Sequence, residues 1–320
     1  MPNLVRHMNS MRVEKRLHWF PDLFDFYFQT KVRGKKIPLL ACFKLAFKCN
    51  LKCKACPFHQ RAKESGSHMS WDRAIRVLQE LKKSGCRIVV FEGGEPFMWE
   101  DGSHDLNELV LYAKKHFLCV AVTTNGTFPL DIPADVLWVS LDGLKKTHDR
   151  LRSESFDTVW ANLKTATHPK ILVHFTINKE NWFELDKLLE RLKEVPAVRG
   201  ITVQLFYPYG QGEEPLALSS SERRAALEKA VQLKRLGYPV LNSESRLKAM
   251  IDNKWRCRDY ILINVDPSGE ITTGCYAKSR GEVRCKDCGF TPVAEASGAL
   301  DLVPGSIVAG WRTYIKTQRL

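Results

Sequence analysis

The sequence predicts an α/β fold in which strands alternate with helices, followed by a small loop-rich C-terminal domain. Three observations predict it. Between residues 39 and 206, short apolar runs recur with helical patterns between them and short loops. From about residue 255 that alternation gives way to turn residues and cysteines. The 320 residues, 44% hydrophobic and 27% charged with 19 glycines and 15 prolines, exclude a disordered, collagenous or low-complexity chain.

The strands expected, in order, are Leu40–Phe47, Arg87–Phe91, Leu118–Thr123, Val136–Leu141, Ile171–Ile177 and Gly200–Phe206. The helices between them are Ser70–Ser84, with Ala74, Val77, Leu78 and Leu81 on one face, then Leu106–Lys115, Phe156–Thr165 and Asn181–Lys193. The link between the third and fourth strands is short and carries little helix. Residues 207–219 form a turn-rich linker, and a helix over Ser220–Leu236 follows, opened by Ser-x-x-Arg rather than by a capping box. Six such units either curve into a partial barrel or lie in an open doubly wound sheet, and periodicity alone does not choose. The chain divides into an extension at 1–38, a core at 39–220, a helical linker at 221–254 and a C-terminal domain at 255–320.

The net charge of +13 favours anionic partners: nucleic acid, a membrane surface, or a phosphorylated or carboxylated substrate. A plain basic surface explains it equally. The basic residues are dispersed and no RNA-binding motif is present, so no nucleic acid is expected. No run approaches about 18 apolar residues, so no transmembrane helix is expected. The amino terminus lacks the apolar core of a signal peptide, which points to a cytoplasmic protein. Residues 1–38 hold eight Lys and Arg against three acids, around Trp19-Phe20-Pro21-Asp22-Leu23-Phe24-Asp25-Phe26-Tyr27-Phe28. That pattern suits a peripheral membrane contact. The alternative is an aromatic helix packed on the bottom of the barrel.

Ten cysteines in a cytoplasmic chain call for an explanation other than disulfides. Cys42, Cys86 and Cys119 lie in or beside apolar runs and read as small buried hydrophobes. Cys49, Cys53 and Cys56 form Cys-x3-Cys-x2-Cys in a loop after the first strand. Three thiolates so close can hold three irons of a 4Fe-4S cubane, leaving the fourth iron open to a substrate or cofactor. A zinc site with His59 as its fourth ligand is the alternative. At the end of the second strand, Glu92-Gly93-Gly94-Glu95-Pro96 pairs two glycines that admit a close backbone approach with a carboxylate able to accept from an ammonium group. Both loops lie at the C-terminal ends of strands, where barrel active sites are built.

These residues resemble the radical SAM superfamily. The resemblance is carried by Cys-Asn-Leu-Lys-Cys-x-x-Cys, Gly-Gly-Glu-Pro, Thr123-Thr124-Asn125-Gly126-Thr127, Val139-Ser140-Leu141-Asp142-Gly143, and His148-Asp149-Arg150-Leu151-Arg152 followed by Phe156-Asp157-Thr158-Val159. The motifs fall in the family's order, one per strand end, over about residues 40–206. The resemblance implies a partial (β/α)6 TIM-like barrel and an enzyme that reductively cleaves S-adenosylmethionine to a 5′-deoxyadenosyl radical. It implies Cys49, Cys53 and Cys56 as cluster ligands. Gly93, Gly94 and Glu95 would meet the methionine ammonium, Asn125 and Ser140 ribose or carboxylate, and Arg152 the methionine carboxylate. It also implies a one-electron reductant such as flavodoxin or ferredoxin. One departure stands out: the family often has an aromatic residue just before the third cysteine, and here it is Ala55, with Phe58 as the substitute.

Cys257, Cys275, Cys285 and Cys288 resemble the twitch domain, the short form of the SPASM extension, which carries one auxiliary 4Fe-4S cluster. Four thiolates would ligate that cluster fully, which implies electron transfer or a structural role. They would equally hold structural zinc. The reaction expected is hydrogen abstraction from an unactivated carbon of a small molecule, peptide or lipid, with net oxidation. His174, Gln204, Tyr207 and Tyr209, near strand ends, are the substrate-facing candidates. The alternatives are a radical enzyme of a lipid pathway, which the basic aromatic extension and the missing aromatic also resemble, and a non-catalytic iron–sulfur or RNA-binding protein.

Overall fold

A computed structural model describes residues 19–54, 56, 58–210, 212–275, 277 and 283–316. The strands of the main sheet are β1 (Leu40–Lys44), β2 (Ile88–Glu92), β3 (Cys119–Thr124), β4 (Val136–Ser140), β5 (Ile171–Ile177), β6 (Val198–Leu205), β7 (Leu262–Val265) and β8 (Ile271–Thr273), beside a short antiparallel pair at Glu100–Asp101 and His104–Asp105. They form one sheet in the order β8-β7-β1-β2-β3-β4-β5-β6. All neighbours from β7 to β6 are parallel, and only β8 runs antiparallel, against β7. The helices are α1 (Trp71–Lys83), α2 (Leu106–Lys114), α3 (Lys145–Leu151), α4 (Phe156–Thr165), α5 (Leu185–Leu192), α6 (Ser220–Arg235), α7 (Glu244–Ile251), α8 (Thr291–Leu300) and α9 (Pro304–Gly310).

Alternation along each strand separates two apolar faces. Ala41, Phe43, Val89, Phe91, Val120, Val122, Leu137, Val139, Val173 and Val203 join one core with the helices. Leu40, Ile88, Val90, Cys119, Ala121, Val136, Trp138 and Leu172 face the other way, into a second core with Phe26, Val293 and Leu300. Helix α1 supplies Ala74, Val77, Leu78 and Leu81 to the first core, the face expected from its spacing. Its Ser70 cap accepts the Arg73 amide at 3.4 Å. Val77, Leu78 and Leu81, fully buried, each contribute about 1.5–3 kcal/mol relative to exposure.

Three details depart from the sequence reading. Helix α6 does carry a capping box: the cap is Ser219, one residue earlier than read, and Glu222 closes the box. The stretch before residue 156 is helical over α3. The region after 255 is more regular than its turn residues suggest, because Leu262–Val265 is an apolar run that completes the sheet beside β1. Residues 19–27 are helical and lie against the inner face, where Tyr27 Oη donates to the Ala299 carbonyl at 2.8 Å. Residues 1–18 of the extension, and Ala55, lie outside the described residues.

Candidate active site

The loop after β1 carries Cys49, Cys53 and Cys56, all half-buried. It is held from three sides. The Lys52 amide donates to Ser153 Oγ at 2.9 Å and the Lys54 amide to the Leu151 carbonyl at 2.9 Å, so the loop rests on the end of α3. Ser153 and Glu154 both take φ near +55°, a strained turn that presents these groups. On the second side, Asn125 Nδ2 donates to Asn50 Oδ1 at 2.8 Å, and Asn50 Nδ2 donates to Thr127 Oγ1 at 2.8 Å.

Gly93 and Gly94 hold the third side. The Gly94 amide donates to the Ala46 carbonyl at 2.7 Å and the Glu95 amide to the Lys48 carbonyl at 2.9 Å. A Cβ on Gly94 would sit 2.1 Å from the Lys48 carbonyl oxygen, and one on Gly93 would sit 2.5 Å from that of Ala46. The close approach that the paired glycines allow is therefore to the chain's own backbone, just before Cys49. Glu95 is 1% exposed. Its carboxylate accepts from the Phe97 amide at 3.1 Å, Thr124 Oγ1 at 2.7 Å and the Asn125 amide at 2.7 Å. Burial pushes its pKa up to about 7, against those donors. In this arrangement Glu95 braces the ends of β2 and β3.

The cysteine loop also meets a cation. Arg152 Nε donates to Asp142 Oδ2 at 2.5 Å, and Asp142 Oδ1 accepts the Thr176 amide at 2.8 Å. The guanidinium acts electrostatically on the Cys53 and Cys56 thiols as well as on Asp142. Its other N–H groups leave it able to serve an anion beside the cysteines. Burial pushes the Cys53 thiol up to about 12, with Arg152 opposing. Ser140, at the end of β4, is buried and pairs in register with His174. His148 accepts the Asp142 amide on Nδ1 and lies 3.1 Å from Ser155 Oγ through Nε2, and burial pulls its pKa down to about 4.

The inner face of the barrel encloses a cavity of about 490 Å³. Its walls are mostly apolar, and its polar residues include Glu92, Thr123, His174, Thr202 and Gln204, near the strand ends that carry the cysteine and glycine loops. Glu92 pairs with buried Lys44 at 3.4 Å. His174 and Gln204, two of the four substrate-facing candidates, border this cavity. Tyr207 and Tyr209 pack on each other instead, and the Tyr207 hydroxyl accepts the Arg284 amide at 2.8 Å. Phe58 stacks on Phe47 at 5.5 Å.

The second cysteine group draws on both edges of the sheet. Cys275 follows β8, while the Cys285–Cys288 turn meets β6, where the Leu205 amide donates to the Gly289 carbonyl at 3.2 Å. Cys257 feels the charges of Cys275, Cys285 and Cys288, and burial pushes its thiol up to about 12. Arg223, a residue the sequence reading passed over, clamps this turn: it donates to the Cys288 carbonyl at 2.6 Å and to Asn253 Oδ1 at 2.9 Å. Nothing in the spacing of Arg223 within α6 distinguishes it from an ordinary surface arginine.

Among the described residues, no three His, Cys, Asp or Glu side chains are arranged to hold a single ion. The donor chemistry nonetheless fits iron–sulfur clusters at both places. Three thiols share one loop beside a cation, with the Leu51 amide 3.4 Å from Cys49 Sγ and Asn125 Nδ2 3.8 Å from it, and four thiols lie within electrostatic reach of one another at the other place. Bound at these places, clusters would be held by Cys49, Cys53 and Cys56, and by Cys257, Cys275, Cys285 and Cys288.

Residues 44–192 match the radical SAM superfamily. The chain is 29% identical over 260 residues to the Fe-coproporphyrin III synthase of Methanosarcina barkeri, covering 72% of this chain and 64% of that one. It is 28% identical over 284 residues to the AdoMet-dependent heme synthase of the same organism, covering 80% and 78%. Among solved structures, Streptococcus suis SuiB bound to precursor peptide SuiA superposes with a TM-score of 0.61 at 16% identity, covering 86% of this chain and 66% of that one.

Proposed function

We propose that this chain, a radical SAM enzyme, abstracts hydrogen from an unactivated carbon of a substrate lying on the inner face of its barrel, with net oxidation of that substrate. The observation that supports the reading is that the loop after β1 carries Cys49, Cys53 and Cys56, with Arg152 acting on Cys53 and Cys56, while Glu92, Thr123 and Gln204 at or near neighbouring strand ends line a large, mostly apolar cavity. A cluster and S-adenosylmethionine bound there would supply a 5′-deoxyadenosyl radical. The chain's own contribution is geometric: Gly93, Gly94, Glu95 and Asn125 fix the cysteine loop, Arg152 offers a guanidinium to a carboxylate, and the cavity wall keeps water from the reacting carbon. The C-terminal cysteines would hold a second 4Fe-4S cluster that accepts the electron, with zinc as the alternative. Residues 255–320 would then act as a twitch-type unit. A one-electron reductant such as a flavodoxin or ferredoxin would complete the cycle.

The named relatives at 29% and 28% identity are a coproporphyrin and a heme synthase, and SuiB takes a peptide, so substrates differ widely on this fold. A second reading, radical addition or carbon–carbon bond formation on a lipid-like substrate, is favoured by the apolar cavity wall. Iron, acid-labile sulfide and zinc per chain after anaerobic reconstitution test the proposal. About eight irons and no zinc support two clusters and the oxidative reading. About four irons with one zinc remove the electron acceptor and move the lipid-like reading ahead.

A further inference from the structure

The cavity opens where its wall is also surface. Ile307 and Val308 of α9, and Trp311 just after it, line the cavity and are 41%, 47% and 40% exposed. Trp19 and Leu23 of the amino-terminal helix line it too and are half-buried. These two elements form the rim of a portal.

The helical segment that forms one side of the rim is apolar on both faces. Phe26 is buried on the inner side. On the outer side Phe20, Phe24 and Phe28 succeed one another at a helical spacing, with ring centroids 6.4 Å apart at each step, and Phe20 and Phe24 are each 63% exposed. Val32 follows at 70% exposed. A soluble surface gains nothing from such a ladder. Cations follow it: Lys31, Arg33, Lys35 and Lys36 are all exposed, and Arg33 lies over the Phe28 ring at 5.3 Å. Of the nearby acids, Asp25 is paired with Arg87 at 3.1 Å, Asp301 with Lys31 at 3.3 Å, and Asp22 is half-buried. Exposed aromatics beside a surplus of cations match an anionic lipid surface in both polarity and charge.

We infer that this face seats on an anionic membrane and that the portal admits an amphiphile from it, apolar body toward the portal and polar head toward Glu92, His174, Thr202 and Gln204. The inference rests on the cavity being the substrate site. It commits the occupant of the aromatic face to lipid rather than to a protein.

Two assays on the full chain test it. The first is co-sedimentation with phosphatidylcholine vesicles, with and without phosphatidylglycerol. The second is binding of 11-(dansylamino)undecanoic acid, followed by its fluorescence. The chain binds vesicles containing phosphatidylglycerol more tightly than neutral ones, and takes up the probe saturably. The triple variant Phe20→Ser, Phe24→Ser, Phe28→Ser loses at least about tenfold in vesicle affinity and keeps probe binding. Cys42→Trp, which fills the cavity, does the reverse. Vesicle affinity unchanged in the triple variant, absence of vesicle binding, or a concentration-dependent dimer that hides the aromatic face overturns the proposal. Probe binding unaffected by Cys42→Trp overturns the portal. Neither assay reads 5′-deoxyadenosine formation, so failure of the radical reading leaves these outcomes separately interpretable.

Discussion

Replacing Gly94 by alanine tests the brace between the glycine loop and the cysteine loop. The new Cβ meets the Lys48 carbonyl oxygen at 2.1 Å, the Lys48 carbonyl carbon at 2.6 Å and the Phe47 carbonyl oxygen at 2.6 Å. All three are backbone atoms, so no side chain can swing away. Reaching ordinary contact near 3.4 Å requires a separation of about 1.3 Å between the two loops. That strains or breaks the bonds from the Gly94 amide to Ala46 and from the Glu95 amide to Lys48, each contributing about 1 kcal/mol. With overpacking at about 1–3 kcal/mol, the total loss is about 3 kcal/mol. For a chain of 320 residues that lowers the melting temperature by about 4–5 °C. Cys49 lies one residue beyond Lys48, and a misplacement of about 1 Å at a reacting centre costs about 100-fold in rate. The assay is calorimetric melting together with 5′-deoxyadenosine formation. Gly310→Ala, where nothing lies within 4 Å of the added Cβ, is the comparison and leaves both unchanged or slightly raises stability. A Gly94→Ala variant that melts within a degree of the parent and cleaves S-adenosylmethionine at the parent rate refutes the brace.

Three further predictions follow from the same geometry. Asp142→Asn keeps the acceptor for the Thr176 amide but leaves the half-buried Arg152 cation without its counter-charge, at a cost of about 2–3 kcal/mol in chemical denaturation. His148 titrates near 4 when folded and near 6.5 when unfolded, because burial disfavours its charged form. Below pH 6.5 the unfolded chain takes a proton that the folded chain refuses, so about 3 kcal/mol of stability is lost as pH falls from 6.5 to 4. In His148→Gln the stability curve is flatter over that window while other groups contribute as in the parent. A parallel slope in the two proteins would contradict this assignment. Cys257→Ala removes about four irons per chain after reconstitution and leaves the other cluster's spectrum in place; an unchanged iron count excludes Cys257 from the ligand set.

Much of the barrel was legible because its signals are local. Strands buried on both faces read as apolar runs, and Ile171–Ile177 and Phe156–Thr165 fall within the bounds their patterns set. Leu262–Val265 carried the same signal, with Asp266-Pro267-Ser268-Gly269 as a turn before Ile271, but it pairs with β1 across more than 200 residues of chain, and no local pattern announces such a partner. The cap of α6 was missed by one residue, since Ser219, Ser220 and Ser221 are interchangeable by composition. At the site, cysteine spacing named the thiols, whereas the partners of the glycine loop were out of reach. A close approach to a ligand and a close approach to one's own backbone demand the same glycine. Asp142 sat in one motif and Arg152 in the next, yet only the fold brings the two side chains to 2.5 Å. Tyr207 and Tyr209, beyond the end of β6 at Leu205, pack with the inner-face core, Tyr207 against the cavity-lining Phe290 at 5.3 Å, but are not themselves on the cavity wall that His174 and Gln204 line.

The central claim is radical cleavage of S-adenosylmethionine at the Cys49, Cys53 and Cys56 loop. The most direct measurement is 5′-deoxyadenosine released by the anaerobically reconstituted, reduced chain, compared with its Cys53→Ala variant. The account predicts steady release by the parent and none by the variant. Equal amounts from both, or none from a parent shown to hold a cluster at that loop, would contradict it.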